Sequence, residues 1–141
     1  MPSERVREGS CFCGAVHYRV RGEPKFVAHD HCSICRRTSG AAYVTWVGFT
    51  EDTFEIVSGE PSLTTFQSSP EGKRQFCSRC GSHLVFRGTR WPGEVHVTLA
   101  TLRDTDGLVP KTHVFVSDKA PWDVICDGLV QCGGDSGVEP L

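Results

Sequence analysis

The chain has 141 residues, a length that suits one compact domain with an ordinary core and leaves little room for a second fold. With 38% hydrophobic and 23% charged residues, 15 glycines, 8 prolines and a mean hydropathy of -0.24, it reads as globular and turn-rich, which excludes collagen, coiled coil and wholesale disorder. Fifteen basic against 17 acidic side chains leave a net charge of -2, so no global field draws the chain to nucleic acid or an anionic membrane, and neither partner is expected.

The opening MPSERVREGS lacks the apolar centre of a signal peptide, and no later run reaches bilayer length, so a cytoplasmic location is expected. Residues 1–9 read as an N-terminal extension, 10–131 as the domain and 132–141 as a flexible tail that frays. Val16, Tyr18 and Val20 alternate with His17, Arg19 and Arg21, the period of a half-buried strand. Residues 43–49 are rich in β-branched and aromatic side chains, 53–57 resemble their hairpin partner, and 62–67 add a further strand beyond the Gly59-Glu60-Pro61 break. Residues 67–73 read as a flexible loop. Strand patterns return at 84–86, 94–102 and 113–116. Helix is expected only over residues 33–39, stopped by Gly40. The sum is a mainly β, irregular antiparallel domain with little helix, its core filled by Trp46, Phe49, Phe54, Phe86 and Trp122.

Eight cysteines stand at positions 11, 13, 32, 35, 77, 80, 126 and 132, and six fall into one C-x-C and two C-x-x-C pairs. In a chain without a secretory signal such pairs point to metal before disulfides, since one tight turn aims two thiolates at one ion. Gly14 and Gly81 trail the second cysteine of their pairs, where a left-handed backbone suits a knuckle. Spacing leaves the partition open. Cys11, Cys13, Cys77 and Cys80 can close one site with Cys32 and Cys35 in another, or the two C-x-x-C pairs can close together. Beside Cys32, the available extra ligands are Asp30, His29 and His31; Asp30 can equally cap the short helix. His83 is a further ligand or proton-shuttle candidate, and Cys126 and Cys132 read as free thiols.

CFCGAV at 11–16, HCSICRRTSG at 31–40, FCSRCGS at 76–82, KAPW at 119–122 and DGL at 127–129 together resemble the glutathione-dependent formaldehyde-activating enzyme family, which includes centromere protein V. The resemblance spans about residues 10–131. It implies a β-tent fold with a structural zinc on Cys11, Cys13, Cys77 and Cys80, and a second zinc on a C-x-C-x-x-C motif of which Cys32 and Cys35 are present while Asp30 stands in the first position. A carboxylate is a harder donor than a thiolate, so an ion held by Asp30, Cys32 and Cys35 would be more Lewis-acidic and more easily lost.

The implied reaction is a carbon–sulfur bond formation, glutathione condensing with formaldehyde to S-hydroxymethylglutathione at the open Asp30–Cys32–Cys35 site. Glutathione is then a co-substrate, and its carboxylates are expected to meet Arg36 and Arg37. The alternative is a zinc-stabilised binding module without catalysis, because a fold does not settle activity.

Overall fold

The structure, a computed structural model, describes residues 4–141, so Met1–Ser3 of the expected N-terminal extension lie outside the described residues. The strands are β1 (Val6–Ser10), β2 (His17–Arg21), β3 (Phe26–Asp30), β4 (Val44–Thr50), β5 (Phe54–Ser58) and β6 (Leu63–Gln67). They continue with β7 (Gly72–Cys77), β8 (His83–Gly88), β9 (Glu94–Thr98), β10 (Thr112–Val114), β11 (Val130–Gly133) and β12 (Glu139–Pro140). One α-helix, α1, covers Ser33–Ser39, and the remaining helical pieces are single 3-10 turns. Among the described residues no helix is long and apolar enough to cross a membrane.

The chain forms two compact units, each drawn from two stretches of sequence. The first combines the segment ending at Lys25 with Val47–Leu108. In it β1, β2 and β5 make a three-stranded sheet, and β9, β8, β7 and β6 lie side by side in that order. The 53–57 segment therefore pairs antiparallel with β2, not with the strand before it as the hairpin expectation had it. A 3-10 turn, Glu51–Thr53, stands between β4 and β5, where a tight hairpin turn would be needed. The core of this unit includes Val16, Tyr18, Val20, Phe49, Leu84, Val95 and Val97, and the buried Tyr18 hydroxyl is bonded to Thr101 Oγ1 at 2.7 Å.

β1 escaped the alternation test because its pattern is inverted. Arg7 is 2% exposed and donates to the Asp106 carbonyl at 3.0 Å, while Val6 is 49% exposed. β7 likewise turns Arg74 inward, where its guanidinium lies 5.0 Å from the Phe86 ring. The 67–73 loop shrinks to the four residues 68–71 between the ends of β6 and β7, whose last cross-strand pair is Gln67 with Lys73.

The second unit combines Phe26–Trp46 with Val109–Leu141. Its strands run β12, β11, β10, β3, and the otherwise antiparallel pairing is mixed here, because β10 is parallel to both β3 and β11. Parallel neighbours need a long return connection, and the chain makes it by completing most of the first unit between β3 and β10. The stretches read as extension and tail carry β1 and β12. α1 ends as expected: Gly40 adopts φ 67 and its N–H returns to the Arg36 carbonyl at 2.8 Å. Of the expected core aromatics, Trp46 and Phe49 are buried and Phe54 and Phe86 half-buried. Trp122 is 70% exposed, carried outward on a turn after Pro121.

Candidate metal centres

Two knuckles in the first unit bring four sulfurs together. In the first, Gly14 N–H reaches the Cys11 carbonyl at 3.2 Å with Gly14 at φ 81, and in the second Gly81 N–H reaches the Cys77 carbonyl at 2.7 Å with Gly81 at φ 79. Ser82 Oγ accepts the Phe12 N–H at 2.9 Å and ties one knuckle to the other. The Sγ atoms of Cys11 and Cys13 stand 3.7 Å apart and those of Cys13 and Cys77 3.8 Å, and all four sulfurs including Cys80 lie within 4.8 Å of one another. Four thiolates each about 2.3 Å from one tetrahedral ion would be separated by roughly 3.8 Å, so the donor set fits zinc.

The electrostatics point the same way. Hydrogen bonding from the Ser82 hydroxyl, with the backbone bonds at Cys13 and Ser82, lowers the Cys80 thiol to about 5. Cys11 is also lowered: burial and the Cys80 thiol push it up, but the Val16 N–H at 3.2 Å and the Cys13 and Cys77 thiols outweigh that. Cys13 goes the other way, to about 11; the Ala15 backbone bond favours its thiolate, but burial and the three neighbouring sulfurs oppose it. Without a cation the cluster supports only part of its possible negative charge, which is the condition a bound divalent ion relieves.

In the second unit, Asp30 closes β3 and Cys32 is the N-cap residue of α1, with Cys35 one turn on and buried. A spacing of three residues sets both sulfurs on one face at the start of the helix. The carboxylate and the two sulfurs lie within 4.8 Å of one another. Asp30 Oδ1 accepts the Cys32 N–H at 2.9 Å, a local turn at the start of α1 that braces the carboxylate beside the thiols. Arg36 and Arg37 occupy the last turn of α1; Arg36 is half-buried with Nε unpartnered, and Arg37 is exposed.

The two histidines flanking Asp30 do not join its cluster. His29 Nδ1 is 2.7 Å from Thr45 Oγ1, and His31 Nε2 is 2.8 Å from His113 Nδ1, with His113 Nε2 a further 2.9 Å from Asp127 Oδ2. Burial lowers His29, and burial with the His113 charge lowers His31 to about 4, so both rings are neutral at pH 7. His29, His113 and Asp127 form a third group of potential donors within 4.8 Å. Sequence reading missed His113 and Asp127 as site residues, because only the β3–β10 register brings them to His29. His83 lies opposite Phe76 in the β7–β8 ladder and stacks on its ring, and it does not group with the four sulfurs as a further donor. Cys126 and Cys132 are free, exposed and half-buried respectively.

With this geometry, comparison with known proteins is specific. The sequence profile of the family described as glutathione-dependent formaldehyde-activating enzyme matches residues 6–118. A relative from Halomonas elongata, provisionally named a glutathione-dependent formaldehyde-activating enzyme, is 36% identical over 124 residues, 82% of this chain and 78% of the relative. The crystal structure of a Rhodobacter sphaeroides protein superposes with a TM-score of 0.60 at 28% identity, covering 73% of this chain and 97% of that one. The chain belongs to the glutathione-dependent formaldehyde-activating enzyme family.

Proposed function

We propose that the protein is a zinc-dependent carbon–sulfur lyase-type enzyme that condenses glutathione with formaldehyde, or acts on a closely related thiol adduct, with Asp30, Cys32 and Cys35 as its reaction platform. The observation that carries this reading is the approach of those three donors to within 4.8 Å in a chain of this family. Three protein donors leave an ion a free position, whereas Cys11, Cys13, Cys77 and Cys80 form a closed set suited to a structural zinc. A zinc ion at the open site would supply Lewis acidity, which lowers a thiol's pKa or polarises an aldehyde oxygen.

The balance of the reaction is simple: the glutathione sulfur attacks the formaldehyde carbon, the carbon–oxygen π bond opens, and the thiol proton ends on the new hydroxyl. The chain's task is to hold the two reactants together. Asp30 and the two cysteines fix the platform, since the Asp30 carboxylate is braced by the Cys32 N–H. Arg36 is four residues beyond Cys32, on the same helical face, and its guanidinium suits a glutathione carboxylate; Arg37, one position on, offers a second.

Elemental analysis with a glutathione and formaldehyde assay tests this directly. Two zincs per chain, one removed by mild chelation with loss of turnover, is the expected result. Cys32→Ser should lower turnover by at least about 100-fold in folded protein that keeps one zinc, and Arg36→Ala should raise KM for glutathione by roughly tenfold. Unchanged turnover in Cys32→Ser would remove the platform. One tight zinc without turnover would leave the zinc-stabilised binding module.

A further inference from the structure

We propose that His29, His113 and Asp127 form a third metal site, which takes a divalent first-row transition ion on two imidazoles and one carboxylate.

The backbone assembles the pair of rings. His29 and His113 are register partners in the parallel β3–β10 ladder, so their side chains leave the same face side by side, with ring centroids 4.8 Å apart. Asp127, in the loop before β11, brings both carboxylate oxygens to His113 Nε2, at 2.9 and 3.1 Å. The ligating atoms of all three residues lie within 4.8 Å of one another, close enough for one ion to reach each at about 2.0–2.2 Å.

The outer shell is already built. A ligating imidazole needs its other nitrogen held, because that bond fixes the ring's orientation and tautomer. His29 has Nδ1 on Thr45 Oγ1 at 2.7 Å, which leaves Nε2 for the ion. His113 has Nδ1 on His31 Nε2 at 2.8 Å, which puts the Nε2 that faces Asp127 on the side of the ion. Asp127 Oδ1 takes the Leu129 N–H at 3.1 Å, which steadies the carboxylate. All three potential ligands are thus braced by groups that are not themselves ligands.

The site is separate from the thiolate platform. His29 and Asp30 are successive residues of β3, so their side chains leave opposite faces. Its donor set also selects differently: imidazole and carboxylate suit zinc, cobalt or iron(II), while the cysteine clusters favour softer binding. The Asp127 side chain is 46% exposed, against 3% for His113, so the ion would keep a position open to water or an external ligand. None of this depends on the proposed reaction.

Cobalt(II) titration of full-length protein whose cysteine sites are first filled with zinc tests the assignment. The wild type should take up one further equivalent, with weak visible bands and no sulfur-to-cobalt charge-transfer band. Asp127→Ala and His29→Ala should each weaken that uptake at least tenfold and leave the zinc content unchanged. Asp127 is an exposed loop residue, so its variant keeps the fold even where a ring substitution does not. No additional cobalt bound by the wild type, equal uptake by both variants, or a charge-transfer band on the additional equivalent would each overturn the site. Loss of the Asp30–Cys32–Cys35 reaction would leave it standing, because the readout counts a different ion.

Discussion

A methyl group placed on Gly59 should damage the fold and the four-sulfur cluster together. Gly59 has φ 84, and a Cβ there would overlap the carbonyl of Ala15, a backbone atom that cannot swing aside. The left-handed conformation alone costs a non-glycine residue about 1–2 kcal/mol. Relief of the overlap must shift one of two backbone segments, which adds about 1–3 kcal/mol by analogy with overpacked cores. Gly59→Ala should therefore lose about 2–5 kcal/mol, a large share of the 5–15 kcal/mol typical of a domain. Ala15 is followed by Val16, which donates its N–H to Cys11 Sγ at 3.2 Å and accepts the Cys11 N–H at 3.1 Å, so the shift passes into the first knuckle and zinc retention should fall as well. Gly93→Ala is the control: φ is 77 but nothing lies within 4 Å of its added Cβ, so it carries the conformational cost alone. Urea midpoints and zinc content of the two variants give the comparison. If Gly59→Ala were no less stable than Gly93→Ala, the clash argument would fail.

Cys77→Ser should leave a protein that is insoluble or melts far below the wild type, because the buried Cys77 contributes to a donor set whose metal-binding energy is folding energy; an unchanged melting temperature with full zinc content would refute a structural role. Stability should also fall between pH 6.5 and about 4 through His31, whose ring is held neutral in the fold while the unfolded chain protonates near 6.5. Its contribution is complete above 6.5, is lost as pH drops towards 4, and has a slope of up to about 1.4 kcal/mol per pH unit. His31→Gln should flatten the profile of urea midpoints by that slope, and parallel profiles for the two proteins would count against it.

The local features of this fold were legible and the long-range ones were not. α1 and its Gly40 stop are written in seven residues and one left-handed glycine, and the strands at 17–21, 44–50 and 63–67 announce themselves by period or by β-branched content. β1 and β7 were hidden because each buries an arginine, which a hydropathy pattern counts as outward. The parallel β3–β10 pairing was invisible, since no local signal says which distant strand returns beside Phe26–Asp30. The same division holds at the candidate sites. C-x-C and C-x-x-C spacings exposed six thiol donors, and the structure brings Cys11 and Cys13 to Cys77 and Cys80, the partition that spacing alone had left open. His113 and Asp127 have no such spacing, and only strand register brings them to His29.

The knuckle at Cys11 and Cys13 and its partner at Cys77 are far apart in the chain, with Cys13 and Cys77 separated by 64 positions. At ribosomal rates of about 5–20 residues per second, the first two thiols emerge roughly 3–13 s before the others exist. Asp30, Cys32 and Cys35, in contrast, are made within one short stretch. During synthesis the donor set proposed as the reaction platform is therefore complete first, and the set proposed to hold a structural zinc is closed last. For a protein proposed to handle an electrophile, the N-terminal pair is then the part of the newborn chain that waits longest as bare thiols.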